Sequence, residues 1–422
     1  MNGDDEAKAI AVHKLSGNVF VTGYSTGRTT GPDAYTISYN PEGLQNWSAR
    51  YDGPAHLGDY GTAVAVDAAG LAYVTGFGYR GMVNKHSDYS SQKYDSSGKL
   101  VWDVQYDDRR NGNDEIRAIA LDNAGFVYIT GRSEDSLTNN DVKHYDYYTI
   151  KYNPGTGKVV WSARYDNNIK GADEATAIAV DPAGNVYVTG RSYGGATGFD
   201  YATIMYSSSG IQQWARRYDN IKGDDEATAI AVDAGGNVYV TGRSKGSGTD
   251  FDSLTIKYDS SGLPLWQVRY NHPAANGPDE ASAIAVDGTG NVYVTGRSQG
   301  GATSGFDYVT IKYDLGGTQQ WVRRYDNNIN GTDEATALAL DSAGNVYVTG
   351  RSQGSATGLD YLTIRYDGSG NQVWRARYNN SNVNGADEAA AIAVDSSSNI
   401  YVTGRSQGGP LSLDYATVKY KQ

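Results

Sequence analysis

The chain repeats one pattern along almost its whole length. The phrase Asp-Glu-Ala-Thr-Ala-(Ile/Leu)-Ala-(Val/Leu)-Asp, followed by Gly-Asn-Val-Tyr-Val-Thr-Gly-Arg-Ser, recurs every 52 to 59 residues. A period of about 50 residues made of short β runs is the signature of a radial or stacked repeat protein. The equivalent positions of the eight copies are Glu6, Tyr60, Glu115, Glu174, Glu226, Glu280, Glu334 and Glu388.

Each copy contains the pattern of four short strands. In the fourth copy, two-residue alternation predicts strands over 175–180, 186–189, 201–206 and 212–218. Four antiparallel strands with short turns form one blade of a β-propeller. One tryptophan falls in each fourth strand, which favours packing between blades over a ligand role. These tryptophans are Trp47, Trp102, Trp161, Trp214, Trp266, Trp321 and Trp374.

Counting strands gives the number of blades. The first three strands occur eight times and the fourth seven times, because the sequence stops shortly after Tyr420. The sequence therefore predicts an all-β, eight-bladed β-propeller of four-stranded antiparallel blades in a single domain, 1–422, whose last blade lacks its outer strand. The third strand of that blade, Leu413–Tyr420, is then an open edge for another strand or for self-association. The blades are expected to start near residues 4, 58, 113, 172, 224, 278, 332 and 386.

The first residues match the middle of a loop between blades. Asn2-Gly3-Asp4-Asp5-Glu6 aligns with Asn330-Gly331-Thr332-Asp333-Glu334. We therefore expect a further outer strand, and any secretion signal, to lie upstream of residue 1.

Composition excludes several classes of function. The net charge of -12 and the isoelectric point near 4.9 argue against nucleic-acid binding, which requires a Lys/Arg surface. The absence of cysteine excludes disulfides and thiol catalysis. No apolar run reaches the 18 residues needed to span a membrane.

Three phrases of the repeat resemble a known family. Ala-Ile-Ala-Val-Asp (177–181), Gly-Asn-Val-Tyr-Val-Thr-Gly (184–190) and Thr-Ile-Lys-Tyr-Asp (255–259) are similar to the bacterial and archaeal SBBP-type repeat, often called the seven-bladed β-propeller repeat. The resemblance implies a secreted or cell-surface protein, often a module of adhesin-like chains, and supplies no catalytic residues. The eight copies counted here take precedence over the seven in the family's name.

Function is expected on one face of the propeller. Because successive strands reverse direction, the fourth-to-first and second-to-third loops share a face, and the variation in loop length falls there. On that face, Asp173 and Glu174 of strand one, Arg191 of strand two and Asp200 of strand three are predicted to meet as a charged network within one blade. The set recurs in six of the eight blades, which is typical of a structural network and not of a catalytic site.

Two loops on this face resemble calcium ligand spacing. Oxygen-bearing side chains at positions 1, 3 and 5, a glycine at 6 and an acid at 9 are how a short loop surrounds Ca²⁺. The alternative is an Asn/Gly-rich turn whose amides bond their own backbone. The candidate metal ligands are Asp326, Asn328, Asn330, Asp333 and Glu334 in one loop, and Asn380, Asn382, Asn384, Asp387 and Glu388 in the other.

Blades two and three depart from the repeat. Tyr60 replaces the usual Glu and Phe77 the usual Arg, and histidines stand two residues before the third-strand aspartates. Departures from a repeat mark a candidate ligand site, although drift in loops would produce the same pattern. The candidate sector comprises Tyr60, Phe77, His86, Asp88, His144 and Asp146.

Together these features predict a non-enzymatic, extracellular or cell-surface structural and binding module. A protein or glycan would bind on the loop-rich face, calcium would stabilise the loops, and Leu413–Tyr420 could mediate self-association. One alternative is a lectin with sites repeated from blade to blade. Another is a carbohydrate-active or quinone-type enzyme centred on the irregular sector, although the nucleophile and metalloprotease motifs Gly-x-Ser-x-Gly and His-Glu-x-x-His are absent.

Overall fold

The computed structural model is an eight-bladed β-propeller, as the strand count predicted. It describes residues 3–27, 31–80, 86–107, 112–135, 144–169, 171–273, 276–301, 305–327, 331–409 and 412–421. Seven sheets have four antiparallel strands, and the eighth has three within the described residues. The helical content of the described ranges is one short 3-10 turn, Gly195–Thr197, and none of these residues forms a helix long and apolar enough to cross a membrane.

The first strands are innermost, since each contacts the first strand of the next blade around the ring. They are β1 (Asp5–Val12), β5 (Asp59–Val66), β9 (Asp114–Leu121), β13 (Asp173–Val180), β17 (Asp225–Val232), β21 (Asp279–Val286), β25 (Asp333–Leu340) and β29 (Asp387–Val394). The second strands are β2 (Val19–Gly27), β6 (Ala72–Tyr79), β10 (Val127–Glu134), β14 (Val186–Tyr193), β18 (Val238–Lys245), β22 (Val292–Gln299), β26 (Val346–Gly354) and β30 (Ile400–Gly409).

The third and fourth strands form the outer half of each blade. The third strands are β3 (Gly31–Tyr39), β7 (Ser87–Tyr94), β11 (Tyr145–Tyr152), β15 (Phe199–Tyr206), β19 (Phe251–Tyr258), β23 (Phe306–Tyr313), β27 (Gly358–Tyr366) and β31 (Ser412–Tyr420). The fourth strands are β4 (Gln45–Tyr51), β8 (Leu100–Tyr106), β12 (Val159–Tyr165), β16 (Gln212–Tyr218), β20 (Pro264–Tyr270), β24 (Gln319–Tyr325) and β28 (Gln372–Tyr378).

A β-bulge interrupts the alternation predicted for the first strand. In the fourth blade the pairing register shifts between Ala175 and Ala177, which leaves Thr176 as the extra residue. Its hydroxyl donates to the Ala227 carbonyl of the next blade at 2.8 Å. Gly190 lies opposite, where a Cβ would be 2.0 Å from the Glu174 carbonyl oxygen. The bulge therefore requires glycine in the repeated Val-Thr-Gly phrase and contributes to the joint between blades.

In blades two to eight, an aspartate organises the turn after the first strand. One Asp181 oxygen accepts the backbone N–H groups of Ala183 and Asn185, each at 2.9 Å, and the other accepts the Tyr187 hydroxyl at 3.0 Å. Gly184 takes a φ of +81°, which favours glycine. These bonds give a physical reason for the Asp, Gly, Asn and Tyr of the repeated phrase.

The tryptophans pack between blades, which confirms that expectation. Trp214 lies 6.0 Å from Tyr187 in its own blade and 6.1 Å from Tyr258 in the next, between ring centroids. Its indole nitrogen donates to the Ser260 carbonyl at 3.1 Å, and a Cβ on Gly262 would lie 2.7 Å from the ring. Each complete joint therefore has a slot for one indole.

Blade eight packs directly on blade one. The Tyr415 hydroxyl donates to the Tyr35 carbonyl at 3.0 Å, as the Tyr201 hydroxyl does to the Leu254 carbonyl at 3.2 Å across a regular joint. Among the described residues, the seam is closed by side-chain packing, and each sheet is formed by consecutive strands.

Candidate binding face around the propeller axis

Glutamates and arginines alternate around the axis on the loop-rich face. Arg191, near the end of β14, contacts Glu174 of its own blade at 3.2 Å and Glu226 of the next blade at 3.0 Å. The guanidinium also lies over the Phe199 ring, 4.5 Å from its centroid, which fixes its plane. Each arginine of this kind therefore joins two blades.

The same bridge recurs at six joints, and we call the set the axial ring. Burial opposes ionisation of Glu388, but Arg405 and Arg351 outweigh it and hold the pKa of this carboxyl below its usual range. The network predicted within a blade therefore also links neighbouring blades. The axial ring comprises Arg132, Arg191, Arg243, Arg297, Arg351 and Arg405 with Glu115, Glu174, Glu226, Glu280, Glu334, Glu388 and Glu6.

The third-strand aspartates belong to a separate, outer network. In blade five, Arg269 of β20 contacts Asp252 at 3.0 Å and donates to the Ser244 hydroxyl at 2.6 Å. In blade four the partner of Asp200 is likewise Arg217 of the fourth strand. The prediction that Arg191 and Asp200 meet in one network is therefore wrong, because strand pairing gives Asp200 a different arginine.

Four aromatic rings interrupt the axial ring, and we call them the aromatic patch. Tyr60 and Phe77 stack with centroids 4.9 Å apart and an interplanar angle of 22°. Tyr24 meets Tyr60 edge-on at 5.1 Å, and Tyr79 lies 6.4 Å from both Tyr60 and Phe77. All four side chains are half-buried. Blades one and two therefore present aromatic rings where the other joints present ion pairs.

Acidic groups border the aromatic patch on both sides. The Tyr24 hydroxyl donates to Glu6 at 2.9 Å, and burial together with Glu6 raises the pKa of this phenol. Lys8 also pairs with Glu6, at 2.8 Å. On the other side, Arg117 and Arg132 contact Glu115 at 3.0 Å and 2.9 Å. The patch is thus an apolar surface between two charged clusters.

The outer network of blade two is also altered. Gly78 stands where other blades have serine, and Gln105 where they have the fourth-strand arginine. Arg80 compensates, because it contacts Asp88 at 2.5 Å and donates to Gln105 at 3.1 Å. In blade three the regular arginine remains, with Arg164 2.6 Å from Asp146.

The predicted irregular sector therefore divides into separate places. Tyr60 and Phe77 lie in the aromatic patch, whereas Asp88 and Asp146 belong to outer networks of different blades. The His86 carbonyl accepts the Arg80 N–H at 3.3 Å, and the His144 carbonyl accepts the Asp135 N–H at 2.7 Å, so both histidines close second-to-third loops. Tyr24 and Tyr79 were missed in the sequence, although Tyr24 occupies the usual arginine position.

The first predicted calcium loop is described in part. Asn328 and Asn330 lie outside the described residues. Asp333 accepts the Asn327 N–H at 3.1 Å, while the Glu334 carboxylate contacts Arg297 at 2.7 Å and Arg351 at 2.5 Å. Glu334 therefore belongs to the axial ring. Asp326 is exposed, whereas Asp333 is buried.

In the second predicted calcium loop, several side-chain oxygens accept hydrogen bonds from within the loop. Asp387 accepts the Asn380 N–H at 2.8 Å, and Asn380 accepts the Asn382 N–H at 3.3 Å. The Asn384 side-chain oxygen accepts the Asn379 amide at 2.9 Å, and Asn384 has a φ of +52°. Glu388 pairs with Arg405 and Arg351 in the axial ring.

Carboxylates converge elsewhere, at the joint between blades one and two. One oxygen each of Asp33, Asp52 and Asp59 lies within 4.8 Å of the others. Asp59 is 3% exposed and its Oδ1 has no hydrogen-bond partner, and Gly78 pairs with it where other blades have a serine. Burial and the neighbouring Asp52 and Asp33 raise its pKa to about 6, although the Gly53 N–H bond opposes the shift. Similar triplets are Asp88, Asp107 and Asp114, and Asp146, Asp166 and Asp173.

Sequence reasoning missed these triplets because their members come from three separate segments. They combine the third-strand aspartate, the residue after the fourth-strand tyrosine and the aspartate that begins the next first strand. The available signal was the Tyr-Asp pair at the end of the fourth strand, as in Tyr51-Asp52 and Tyr325-Asp326.

Among known proteins, this chain is similar in sequence to a viral WD repeat-containing protein. An uncharacterized WD repeat-containing protein of Acanthamoeba polyphaga mimivirus is 24% identical over 446 residues, covering 76% of this chain and 31% of the relative. The chain thus spans about a third of the length of that relative.

Solved structures show the same fold at low sequence identity. Sqt1 from Chaetomium thermophilum superposes with a TM-score of 0.60 at 12% identity, covering 95% of this chain and 94% of its own. The RRP9 WD40 repeats superpose with a TM-score of 0.51 at 11% identity, covering 81% of this chain and 86% of their own. The polysaccharide lyase Uly1 superposes with a TM-score of 0.50 at 14% identity, covering 90% of each chain.

The family comparison matches four stretches of the chain. Residues 164–195, 274–301, 320–355 and 373–412 match the beta-propeller repeat model named SBBP. The resemblance found in the repeated phrases is thereby confirmed, because four stretches of this eight-bladed β-propeller match the SBBP beta-propeller repeat.

Proposed function

We propose that this propeller is a non-catalytic binding module, extracellular or at the cell surface, whose ligand seat is the aromatic patch. The observation that carries the proposal is the break in the axial ring. Six joints use the same Glu–Arg bridge, while blades one and two replace it with four half-buried aromatic rings. A structural ring needs no such exception, whereas a ligand needs one distinct place to bind.

The chemistry of the patch favours a protein segment with an apolar or aromatic side chain. Stacked Tyr60 and Phe77 provide a rigid apolar surface, and aromatic residues are enriched at the centres of protein interfaces. Location outside the cell is supported by the family resemblance and is testable by surface labelling of the native host.

The test replaces the aromatic patch with the residues of the regular joints. A variant with Tyr24→Arg, Tyr60→Glu and Phe77→Arg restores the Glu–Arg pattern. Peptides selected from a displayed library on the native chain should contain an aromatic or aliphatic anchor and should lose at least about tenfold in affinity for the variant, as expected for a buried hot-spot anchor. A native-like melting curve for the variant would show that folding is retained.

A matched control changes a regular joint in the opposite direction. Glu226→Tyr with Arg243→Phe alters the axial ring far from the patch and should leave affinity for the selected peptides unchanged. Equal peptide affinity of the restored variant and the native chain would contradict the proposed seat. Binding confined to a glycan array, at several equivalent sites per chain, would favour the lectin alternative instead.

We also propose that calcium stabilises the propeller, most strongly at Asp33, Asp52 and Asp59. Calcium prefers carboxylate and carbonyl oxygens. Asp59 contributes a buried oxygen without a hydrogen-bond partner, and the cations beside the triplet are Arg50, 3.0 Å from Asp33, and exposed His56, 2.7 Å from Asp52. The loops at Asp326–Glu334 and Asn380–Glu388 remain weaker candidates, because Glu334 and Glu388 pair with arginines.

Calorimetric titration with calcium tests this second proposal. Calcium should bind the native chain and raise its melting temperature, and Asp59→Asn should abolish both effects. Asp326→Asn is the matched control and should retain them. Absence of binding at millimolar calcium would contradict the calcium proposal, and loss of binding in Asp326→Asn alone would place the metal in the Asp326 loop.

A further inference from the structure

A groove of about 450 Å³ lies between the last described strand and blade one. Its walls come from β31 and β30 of blade eight, from the end of β3 and the turn after it, and from the end of β28. Within the described residues, the outer edge of β31 has no neighbouring strand. In every other blade this position holds a fourth strand.

The groove contains a complete but empty indole slot. At a regular joint the indole lies between the tyrosine of the second strand and a tyrosine of the next blade, and the corresponding pair here is Tyr401 and Tyr39. No atom lies within 4 Å of a Cβ built on Gly43, whereas tryptophan atoms approach the equivalent glycines to between 2.6 and 3.0 Å. Those glycines are Gly98, Gly157, Gly210, Gly262, Gly317 and Gly370.

The slot also presents the hydrogen-bond acceptor that an indole uses. The Lys419 ammonium donates to the Pro41 carbonyl at 2.5 Å. At the joint between blades two and three, the equivalent carbonyl is that of Pro154, which accepts both the Lys93 ammonium at 2.8 Å and the Trp102 indole N–H at 3.1 Å. The carbonyl of Pro41 therefore lies where an indole N–H would meet it.

A guanidinium slot lies at the other end of the groove. Ser406 and Asp414 line the groove at positions equivalent to Ser244 and Asp252, which Arg269 joins in blade five. No arginine in the described part of the chain pairs with Asp414, and burial together with Asp5 raises the pKa of its carboxyl. Asp414 is therefore the carboxyl group with which an incoming arginine would pair.

The spacing of the two slots follows from strand pairing. In blade four, Met205 pairs with Trp214, and Ala202 pairs with Arg217. The corresponding positions of β31 are Lys419 and Ala416. An incoming antiparallel strand would thus place tryptophan opposite Lys419 and arginine, three residues later, opposite Ala416.

We propose that this groove binds an extended peptide strand of the pattern Trp-x-x-Arg-Tyr, by addition to the edge of β31. Main-chain hydrogen bonds supply affinity in this mode, and the side-chain slots supply specificity. The final tyrosine would pair opposite Tyr415, as Tyr218 does opposite Tyr201. The groove shares no residue with the aromatic patch, so the two proposals can fail independently.

The test uses a peptide that copies the fourth strand of blade four and its flanks, residues 210–220. It should bind the full chain with one-to-one stoichiometry in calorimetry and raise the melting temperature with concentration, because a ligand that binds only the folded state stabilises it. A Trp→Ala version of the peptide should bind at least about tenfold more weakly, as expected for a buried aromatic anchor.

The arginine slot is tested by changing the peptide and, separately, by changing the chain. A peptide copying Leu100–Tyr106, which has glutamine at the arginine position, should bind more weakly than the 210–220 peptide. Asp414→Asn in the chain should lower the affinity for the arginine-containing peptide by about tenfold, which is the range expected for a charged hydrogen bond. The difference in affinity between the two peptides should therefore become smaller. Asp200→Asn, at the same position of a complete blade, should leave peptide affinity unchanged.

Two results would overturn the proposal. One is no binding of the 210–220 peptide at millimolar concentration, or binding that is indifferent to removal of its tryptophan and arginine. The other is a dimer in light scattering that uses the β31 edges and that the peptide fails to dissociate, which would show that a second copy occupies this edge.

Discussion

Seven of the eight first strands begin with a buried aspartate, and Asp225 shows how burial changes the pKa of this carboxyl. Burial raises its pKa to about 6, with Asp219 adding to the shift, while Ser244, the Asn220 N–H and Arg269 oppose it. The value in an unfolded chain is near 4. Because the folded-state pKa is the higher one, the stability that this group contributes is complete below about pH 4 and is lost as pH rises through 6.

Asp225→Asn should remove this pH dependence. The free energy of unfolding of the native chain minus that of the variant should fall between pH 4 and pH 7, since the neutral amide does not titrate. Denaturant unfolding at pH 4, 5, 6 and 7 measures the difference, in which the other titrating groups largely cancel. Parallel stability profiles for the two proteins would contradict the prediction.

Gly190→Ala should destabilise the propeller. The added Cβ would lie 2.0 Å from the Glu174 carbonyl oxygen, a backbone atom that cannot move without disturbing the bulge. We expect a loss of at least about 2 kcal/mol in the free energy of unfolding. Gly288→Ala is the control, because a Cβ there meets nothing within 4 Å. Equal melting temperatures for the two variants would contradict the close approach.

At the scale of the strand, a tryptophan should contribute more to stability where the next blade has its own fourth strand and turn than where it does not. Trp214 is 7% exposed and contacts the turn of the next blade, whereas Trp374 is half-buried and packs on Tyr347 and Tyr420. Trp214→Ala should lower the free energy of unfolding by about 3–5 kcal/mol, as is usual for large buried aromatic residues, and Trp374→Ala should lower it clearly less. Denaturant unfolding of both variants checks the order, and equal losses would contradict it.

The sequence predicted the strands well and their side-chain partners less well. The fourth strand of blade four, Gln212–Tyr218, matches its prediction, while the second and third extend to Tyr193 and from Phe199 because loop-facing residues continue the pairing. The Arg217–Asp200 pair could not be predicted from the repeat alone, since it depends on the pairing of strands three and four. Residue order shows which groups recur but not which of two arginines reaches a given carboxylate.

At the scale of the whole molecule, the seam between blades eight and one differs from the other joints, because the described residues of blade eight include no fourth strand. The contact that closes the axial ring, Arg405 to Glu6, is 3.6 Å, and β31 has an unpaired edge among the described residues. Amide hydrogens of β30 and β31 should therefore exchange faster than those of β14 and β15, their equivalents in a complete blade. Mass-resolved hydrogen exchange measures this, and uniform protection of the two blades would contradict it.

The count of eight blades was readable from the sequence because every copy has the same landmarks. The bridging of neighbouring blades by the axial ring was not readable, since a Glu and an Arg at fixed repeat positions pair equally well within a blade or across a joint. The aromatic patch was half predicted. Tyr60 and Phe77 stood out as replacements, but their contacts with Tyr79 depend on strand pairing within blade two, and the contact of Tyr60 with Tyr24 depends on how blades one and two pack.

The shared arginines of the axial ring have a consequence for how such a gene can change. From Arg132 to Arg405 each joint carries the same pair of charges. Duplication or loss of one unit within this arc would create a junction chemically identical to those already present. Unequal recombination between the near-identical repeats could then alter the blade number without inventing a new interface, while the aromatic blades would remain as the single landmark in the ring.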